Sequence, residues 1–275
     1  MTTVAGLLRA SPLPALEARI LLEHVLGWRR TELITRDDEE LPEESVDRFE
    51  ALARRRTDGE PIAQLVGTRE FFGLSFDVTP DVLIPRPETE LLVEIALAKI
   101  EGMHEPRVLD LGTGSGAIAV AIASSRHDAK VWAVDRSAEA LAVAAANASK
   151  LLGIDRSLTF VQSNWTEALD PAQRFEVIVS NPPYIAQNDP HLAEGDLRFE
   201  PRAALTDEAD GLSAIRTIIQ TAPFFLAANG SLWLEHGYDQ AEDVRALLTA
   251  RGFSDVRSEY DLAGIERASG GVFAA

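Results

Sequence analysis

The run Phe-Glu-Val-Ile-Val-Ser (175–180) leads directly into Asn181-Pro182-Pro183-Tyr184. These four residue types suit one kind of chemistry. A primary amide or exocyclic amine is a poor nucleophile because its lone pair is delocalised. Two acceptors placed on its N–H groups aim that lone pair at an electrophile, and the Asn181 side-chain oxygen and the Pro182 carbonyl are candidates for the pair. Consecutive prolines hold the backbone stiff, and Tyr184 offers a flat face to a planar amide or base. Asn181, Pro182 and Tyr184 are therefore candidate catalytic residues, and Asn181, Pro182, Pro183 and Tyr184 a candidate substrate clasp. Such a site orients rather than deprotonates, so its rate advantage comes from proximity and alignment. In isolation the tetrapeptide reads equally as a rigid turn after a strand.

A second stretch, Asp110-Leu-Gly112-Thr113-Gly114-Ser115-Gly116-Ala117, lies upstream. Its glycines permit a tight turn and close backbone approach to a ligand at the start of a helix. The spacing reads as G-x-G-x-G and also as G-x-G-x-x-A, a dinucleotide variant. Asp135 ends the next β-rich run, where a carboxylate can accept both hydroxyl hydrogens of a ribose. Loop and acid together suit a nicotinamide dinucleotide and S-adenosylmethionine equally. The NPPY site separates the two: a reactive methyl sulfonium needs little beyond alignment, whereas a nicotinamide oxidoreductase leaves NPPY idle.

The elements that position these residues follow from periodicity. From Arg107 onward, β-rich runs alternate with helical ones: RVLDL, a helix over SGAIAVAIASSR, KVWAV, a helix over SAEALAVAAANASKLL, then SLTFVQ and FEVIVS. A helix over about Leu212–Leu226 follows, then GSLWLEH, a helix over QAEDVRALLTARG, and one or two strands in the tail. This alternation predicts a mainly parallel sheet with helices on both faces, binding ligands at the carboxyl ends of its strands. Residues 5–57 read as helical, with Leu16, Ile20, Leu21, Val25 and Leu26 on one buried face. A second helix starts near Pro42 and carries Val46, Phe49 and Leu52. Between Pro61 and Pro87, Val66, Phe71, Phe72, Phe76 and Val78 flank Gly73, which predicts a hairpin or extended linker.

Composition narrows the classes. The 275 residues carry 44 acids against 26 bases, a formal net charge of -18. A chain that grips duplex phosphates shows a basic stripe, and the densest basic cluster here, Arg54-Arg55-Arg56, reads as a solvated helix face. The acidity favours a partner with a basic surface. There is no cysteine, so disulfides and thiolate chemistry are excluded. The five histidines match no metal spacing, and no metal is expected. His236 beside Glu235 could suggest acid–base work, but a structural role fits better. The N-terminal stretch lacks a basic n-region and is interrupted by charges, so no signal peptide is expected. No apolar run approaches the ~20 residues of a membrane span. A cytoplasmic monomer is the expectation.

The combination of motifs resembles one family. Together with the glycine loop and NPPY, the segments PIAQLVGTREFFGL (61–74), LIPRPETE (83–90), DPHL (189–192), GDLRFEPRAAL (195–205) and LEHG (234–237) are similar to the bacterial protein-(glutamine-N5) methyltransferases of release factors. The resemblance runs over residues 15–265. It implies an α/β chain: a Rossmann-like S-adenosylmethionine-dependent methyltransferase sheet with a small N-terminal helical bundle and a β-hairpin linker. The implied divisions are a substrate-recognition domain (1–62), the linker (63–84) and the catalytic domain (85–275). The implied substrate is the glutamine of the Gly-Gly-Gln motif of class I peptide chain release factors, with S-adenosyl-L-methionine as cofactor. By the same resemblance, Gly112, Thr113, Gly114, Ser115 and Gly116 wrap the methionine part of the cofactor. Asp135 holds the ribose, Trp165 lies against the adenine, and Asn181 touches both cofactor and substrate. Arg86 and Glu88 close the site.

Two departures stand out. Asn164 occupies a position where the family usually has an acid. Gly270 and Gly271 fall in the last strand, where glycine should weaken pairing. An adenine-N6 methyltransferase acting on DNA or RNA after base flipping is the main rival reading. A non-enzymatic binding module is a third, opposed by the intact glycine loop. No stable nucleic-acid complex is expected.

Overall fold

The computed structural model describes residues 2–153 and 158–274. They form two units.

The first unit spans residues 2–68 and also includes Glu194–Phe199. Its helices are α1 (Val4–Ala10), α2 (Ala15–Leu26), α3 (Arg30–Thr35), α4 (Glu43–Thr57) and α5 (Ile62–Val66). The buried face of α2 is Ala18, Leu21, Leu22 and Val25, the i, i+3, i+4, i+7 stripe of an amphipathic helix. Leu16, expected on this face, is 60% exposed. Two positions before Ala18, it points about 160° away from that stripe. Phe49 and Ala53 of α4 complete the same core. The Arg54–Arg56 cluster is neutralised internally. Arg55 pairs with Glu60, and Arg56 holds Glu17 at 2.8 Å and Asp196 at 2.9 Å. Placed in the last turn of α4, these cations also oppose the helix dipole. Gln64 Nε2 donates to the Phe199 carbonyl at 3.0 Å, which ties the 194–199 segment to α5.

The stretch expected as a hairpin linker resolves into several pieces. Ile62–Val66 is helical and ends on Gly67 in the left-handed region. The hairpin itself is β1 (Thr68–Phe71) and β2 (Leu74–Asp77), with Phe71 and Phe76 in edge-to-face contact at 6.0 Å.

The second unit is built on a seven-stranded sheet. In chain order its elements are α6 (Glu90–Lys99), β3 (Arg107–Leu111), α7 (Ala117–Ser125), β4 (Lys130–Asp135), α8 (Ala138–Leu152), β5 (Leu158–Gln162) and β6 (Phe175–Ser180). They continue with α9 (Arg202–Leu205), α10 (Ser213–Thr221), β7 (Leu226–Glu235), α11 (Ala241–Arg251), β8 (Ser254–Tyr260) and β9 (Glu266–Phe273). Helix α6 has no counterpart among the elements read from periodicity. Ser157, read as the first residue of β5, lies outside the described residues. The helix expected to reach Leu226 ends at Thr221, because Pro223 cannot continue it; one 3₁₀ turn follows and Leu226 already belongs to β7.

The strand order is β5-β4-β3-β6-β7-β9-β8. The β5-β4-β3-β6-β7 ladder is parallel, and β9 runs antiparallel to both neighbours. One apolar cluster forms around α6, α7 and α8, a second around α10 and α11. Each fully buried large side chain, such as Ile122 in the first or Phe175 in the second, stabilises by ~1.5–3 kcal/mol relative to exposure.

The last strand corrects an expectation. Despite Gly270 and Gly271, β9 pairs with β7 over Ala268–Phe273 and with β8 over Glu266–Val272, where the β8 register is irregular at Gly271 and again near Glu266. Gly270 sits opposite Trp233, and a Cβ there would come within 2.3 Å of the Trp233 ring and 2.4 Å of the Leu232 carbonyl. The indole occupies the space the glycine vacates, so a cross-strand aromatic supplies the packing that glycine lacks. Gly270→Ala is accordingly expected to destabilise by about 1–3 kcal/mol through overpacking, rather than stabilise the strand. Urea unfolding of the two proteins checks this, and an unchanged or raised midpoint would contradict the account.

Candidate functional site

The sheet explains how motifs seventy residues apart meet. From β3 the chain moves outward through β4 and β5, then returns to place β6 on the other side of β3. This reversal opens a crevice at the carboxyl ends of β3 and β6. Leu111 pairs with Ser180 across it, and the Ser180 hydroxyl donates to the Leu111 carbonyl at 2.6 Å. The next residues on the two strands are Gly112 and Asn181, the first residues of the two motifs.

A cavity of about 330 Å³ lies here, lined by Gly112, Gly114, Asp135, Trp165, Asn181 and Pro183 among others. Its volume falls in the range of small-molecule sites. Gly112, Gly114 and Gly116 all have positive φ. At Gly112 a Cβ would lie in ordinary contact with the Trp165 ring at 3.5 Å, so it is the positive φ that calls for glycine. At Gly116 it would meet Ala144 at 3.0 Å, so this glycine serves close packing of α7 on α8. Trp165 is a non-glycine residue at φ 52°, a conformation that costs about 1–3 kcal/mol and recurs where a side chain must be aimed.

Asp135 is held in place by two backbone donors. Gly114 N–H reaches Oδ2 at 2.9 Å and Ser137 N–H reaches Oδ1 at 3.0 Å. Each oxygen keeps a second lone pair for a ligand hydroxyl. The other three loop residues face away from the cavity. Thr113 is buried and donates to Asp110 Oδ2 at 2.7 Å, and the Ser115 carbonyl accepts from Asn147. Gly116 caps α7.

Sequence reasoning passed over other wall residues. Arg136, Ser137, Glu139 and Ala140 continue from Asp135, and Ser163 precedes Asn164 and Trp165, two residues the sequence had already marked. They could have been found by extending each motif past its strand end. Val82, Leu83, Pro201 and Ala203 come from the coil after β2 and from around α9. No periodicity marks these segments. Asn164, the residue in place of an acid, donates from Nδ2 to Glu167 Oε1 at 2.7 Å.

The NPPY segment rests on a buried polar layer. Asn181 Nδ2 donates to Thr89 Oγ1 at 3.1 Å. The Tyr184 ring packs on the second apolar cluster, and its hydroxyl donates to Glu235 Oε1 at 3.2 Å. The Tyr184 carbonyl accepts from Gln240 at 3.0 Å. Arg86 forms an ion pair with Glu200, whose other oxygen accepts from Ile84 N–H at 2.9 Å. His236 is buried, and burial favours its neutral form; Nδ1–H donates to the Gly237 carbonyl and Nε2 accepts from the Ser269 hydroxyl. That fits the structural role expected for it. No cluster of metal-ligand type occurs among the described residues.

Two carboxyls in this region titrate abnormally. Burial pushes Asp110 up to about 7, against the Thr113 hydroxyl and the Ala119 N–H, which favour its charged form. Burial likewise pushes Glu235 up to about 7. Asp110 therefore caps the start of α7 from beneath the glycine loop. For an acid whose folded-state value is raised, the folded chain holds a proton that the unfolded chain has lost. Stability from this group is thus fully present below its ordinary value of 3.8 and is lost as pH rises to about 7. Asp110→Asn removes the titration. The stability of wild type minus that of the variant should fall between pH ~4 and ~7 and flatten above. Urea unfolding across that range measures it, and a difference that rises with pH would refute the assignment.

Comparison with known proteins follows the same lines. A family model described as the PrmC N-terminal domain matches residues 2–67, and one described as the methyltransferase small domain matches residues 87–196. A release factor glutamine methyltransferase of Burkholderia pseudomallei is 68% identical over 98% of this chain and 95% of its own length. That of Bordetella pertussis is 55% identical over 98% and 99%. A Thermus thermophilus 16S rRNA N2 G1207 methyltransferase, solved with AdoMet and guanosine, aligns at TM-score 0.54 and 20% identity over 75% of this chain and 49% of that one, a likeness of fold alone. With both parts of the chain matched and near-complete relatives at this identity, the chain belongs to the release factor glutamine methyltransferase family.

Proposed function

We propose that this chain transfers a methyl group from S-adenosyl-L-methionine to the side-chain amide nitrogen of the glutamine in the Gly-Gly-Gln motif of class I peptide chain release factors, in support of translation termination. The observation that carries the reading is the juxtaposition of Gly112 and Asn181 across the β3–β6 crevice, with Asp135 and Trp165 on the same cavity.

The residues present fit the cofactor. Asp135, fixed by two amides, would accept the ribose hydroxyls. The Trp165 ring would cover the adenine, and Gly112 and Gly114 let the chain approach without side chains. When bound, S-adenosylmethionine supplies a methyl carbon on a sulfonium whose departure leaves a neutral thioether. The Asn181 oxygen and the Pro182 carbonyl would accept the two N–H bonds of the substrate amide, and Pro183 and Tyr184 would confine its plane. Held so, the amide nitrogen lone pair would be aimed toward the methyl group that the cofactor supplies, and the methylated nitrogen would give up one proton to solvent. The chain's contribution is alignment, which is worth several orders of magnitude in rate when the geometry is held.

The remaining features agree with a protein substrate. A net charge of -18 suits a basic partner, and the one arginine cluster is already paired with acids. The helical first unit is the natural grip on the release factor away from its three-residue target. No helix among the described residues is long and apolar enough to cross a membrane. A cytoplasmic monomer acting on free release factor fits these features.

Peptide mass spectrometry of a class I release factor incubated with the chain and S-adenosylmethionine tests the reading, with an adenine-containing oligonucleotide in parallel. One methyl on the Gly-Gly-Gln glutamine is the expected result, and methyl on adenine alone would reject it. Asn181→Ala should lower kcat by about 10²–10³-fold, while Trp165→Ala should weaken S-adenosylhomocysteine binding by about tenfold or more.

A further inference from the structure

Gly237, the last residue of the LEHG segment, and Gln240 three positions beyond it have no task in the reaction as described. They follow the carboxyl end of β7. NPPY follows the carboxyl end of β6, the parallel neighbour of β7, so the two turns leave the same edge of the sheet side by side. Gln240 stands where α11 begins, and its backbone is fixed on both sides. Its N–H donates to the Gly237 carbonyl at 3.1 Å, and its carbonyl accepts from Val244 N–H at 3.0 Å. The side chain therefore springs from a rigid base.

Both ends of the Gln240 amide are engaged with backbone. Oε1 accepts from Gly237 N–H at 2.8 Å. Nε2 donates to the Tyr184 carbonyl at 3.0 Å and reaches the Gly211 carbonyl at 3.4 Å. A backbone N–H only donates and a carbonyl only accepts, so these partners leave the amide a single orientation. The two glycines make room for it. A Cβ on Gly237 would lie 3.1 Å from Oε1, and one on Gly211, at φ 81°, would come within 2.5 Å of the Tyr184 carbonyl oxygen. The Gly211 loop is itself tied down, because the Asp207 carboxyl accepts from Ala209, Gly211 and Ser213 N–H at 2.9, 3.0 and 2.7 Å.

The consequence for NPPY follows from its stiffness. Consecutive prolines have little freedom of their own, so the direction of the Pro182 carbonyl depends on how the segment is held at each end. One end is the β3–β6 register, closed by the Ser180 hydroxyl on the Leu111 carbonyl. The other is the planar peptide group joining Tyr184 to Ile185. Its N–H, on Ile185, donates to the Leu205 carbonyl at 3.0 Å, and its carbonyl is the one that Gln240 holds. A peptide plane bonded on one side can still swing about that bond; bonded on both sides it is fixed. Gln240 does not line the cavity, so its effect on the reaction passes through NPPY.

We propose that Gln240 is a positioning residue for methyl transfer: by holding the Tyr184 carbonyl it fixes the peptide plane that closes NPPY and, through the diproline, the direction in which the Pro182 carbonyl meets the substrate amide. The proposal rests on the glutamine-methylation reading for its kinetic consequence, but not for the clamp itself.

Two measurements separate these. The first uses full-length chain and unmethylated class I release factor, with folded sites counted by S-adenosylhomocysteine titration. Gln240→Glu keeps the shape and the acceptor for Gly237 but, ionised at pH 8, has no proton for Tyr184. Gln240→Met keeps the length and loses both bonds. Each should lower kcat per folded site by about 10–100-fold, as small misplacements at a reacting centre do, with KM for release factor and affinity for S-adenosylhomocysteine within about threefold. Gly237→Ala leaves Gln240 in place and crowds only Oε1, so it should lower kcat by about 3–10-fold. A Gln240→Glu enzyme with kcat within twofold of wild type would overturn the proposal, as would losses confined to KM or to cofactor affinity. The second measurement needs no substrate. Tyr184–Ile185 is the one Tyr–Ile pair in the sequence, so labelling tyrosine carbonyls with ¹³C and isoleucine nitrogens with ¹⁵N isolates the signal of this single peptide group. Its ¹³C resonance should move upfield in both Gln240 variants as the carbonyl loses its donor, and an unchanged resonance would also overturn the proposal. A wild-type chain that left release factor unmethylated would reject the substrate reading, and the carbonyl resonance would still decide the clamp.

Discussion

The arrangement depends on a single topological constraint. Parallel strands all present their carboxyl ends on one edge, and the chain leaves β3 in one direction and returns to it from the other. The helices connecting these strands must diverge at that point, so a crevice is unavoidable there. The glycine loop and NPPY are each placed as the first residues after one of the two central strands. The Leu111–Ser180 register, locked by the Ser180 hydroxyl, therefore sets the distance between the glycine loop and NPPY. A one-residue slip of either strand would move every side chain to the opposite face and separate the two motifs. Two core clusters, one per face of the sheet, oppose that slip.

The same edge carries an electrostatic cost that the fold offsets locally. Asp110 and Glu235 occupy comparable places, on β3 and at the end of β7, and burial disfavours the charged form of both. Each is assigned to a neighbouring loop rather than to solvent. Asp110 holds Thr113 and the first turn of α7, which keeps the glycine loop tight while its side chains point inward. Glu235 faces Thr89 and Tyr184. Asp135, in contrast, is half-exposed, lines the cavity and takes two backbone donors. Three acids at the carboxyl edge of one sheet, on β3, β4 and β7, thus have three environments.

How much of this was legible in the sequence varies with the physics behind each feature. Strand–helix alternation and loop glycines are local signals, so the sheet and the positions of Gly112, Asp135 and Asn181 could be read directly. The amphipathic stripe of α2 was legible except at Leu16, where counting apolar residues missed the helical angle. Helix α6 left only a weak mark because Leu91, Leu97 and Ala98 share its outer side with Glu94, which blurs the contrast with the buried Leu92, Val93, Ile95 and Ala96. Gly270 misled for a different reason: its partner Trp233 lies 37 positions earlier, and only the antiparallel register reveals that the indole fills the gap. Thr89 and Glu235 lie in segments the sequence had marked, but their links to Asn181 and Tyr184 were not legible for the same reason. One belongs to the 3₁₀ turn before α6 and the other ends a strand beyond NPPY, and nothing in either local sequence refers to Asn181.

A site that works by orientation makes different demands from one that works by proton transfer. A general base needs a tuned acidity and access to its proton; an orienting acceptor needs only to be the correct atom in the correct place. An asparagine oxygen has little basicity to adjust, so selection acts on the groups that decide which end of the amide is presented. Those groups can lie deep in the protein, since their effect passes through the direction of hydrogen bonds rather than through contact with substrate.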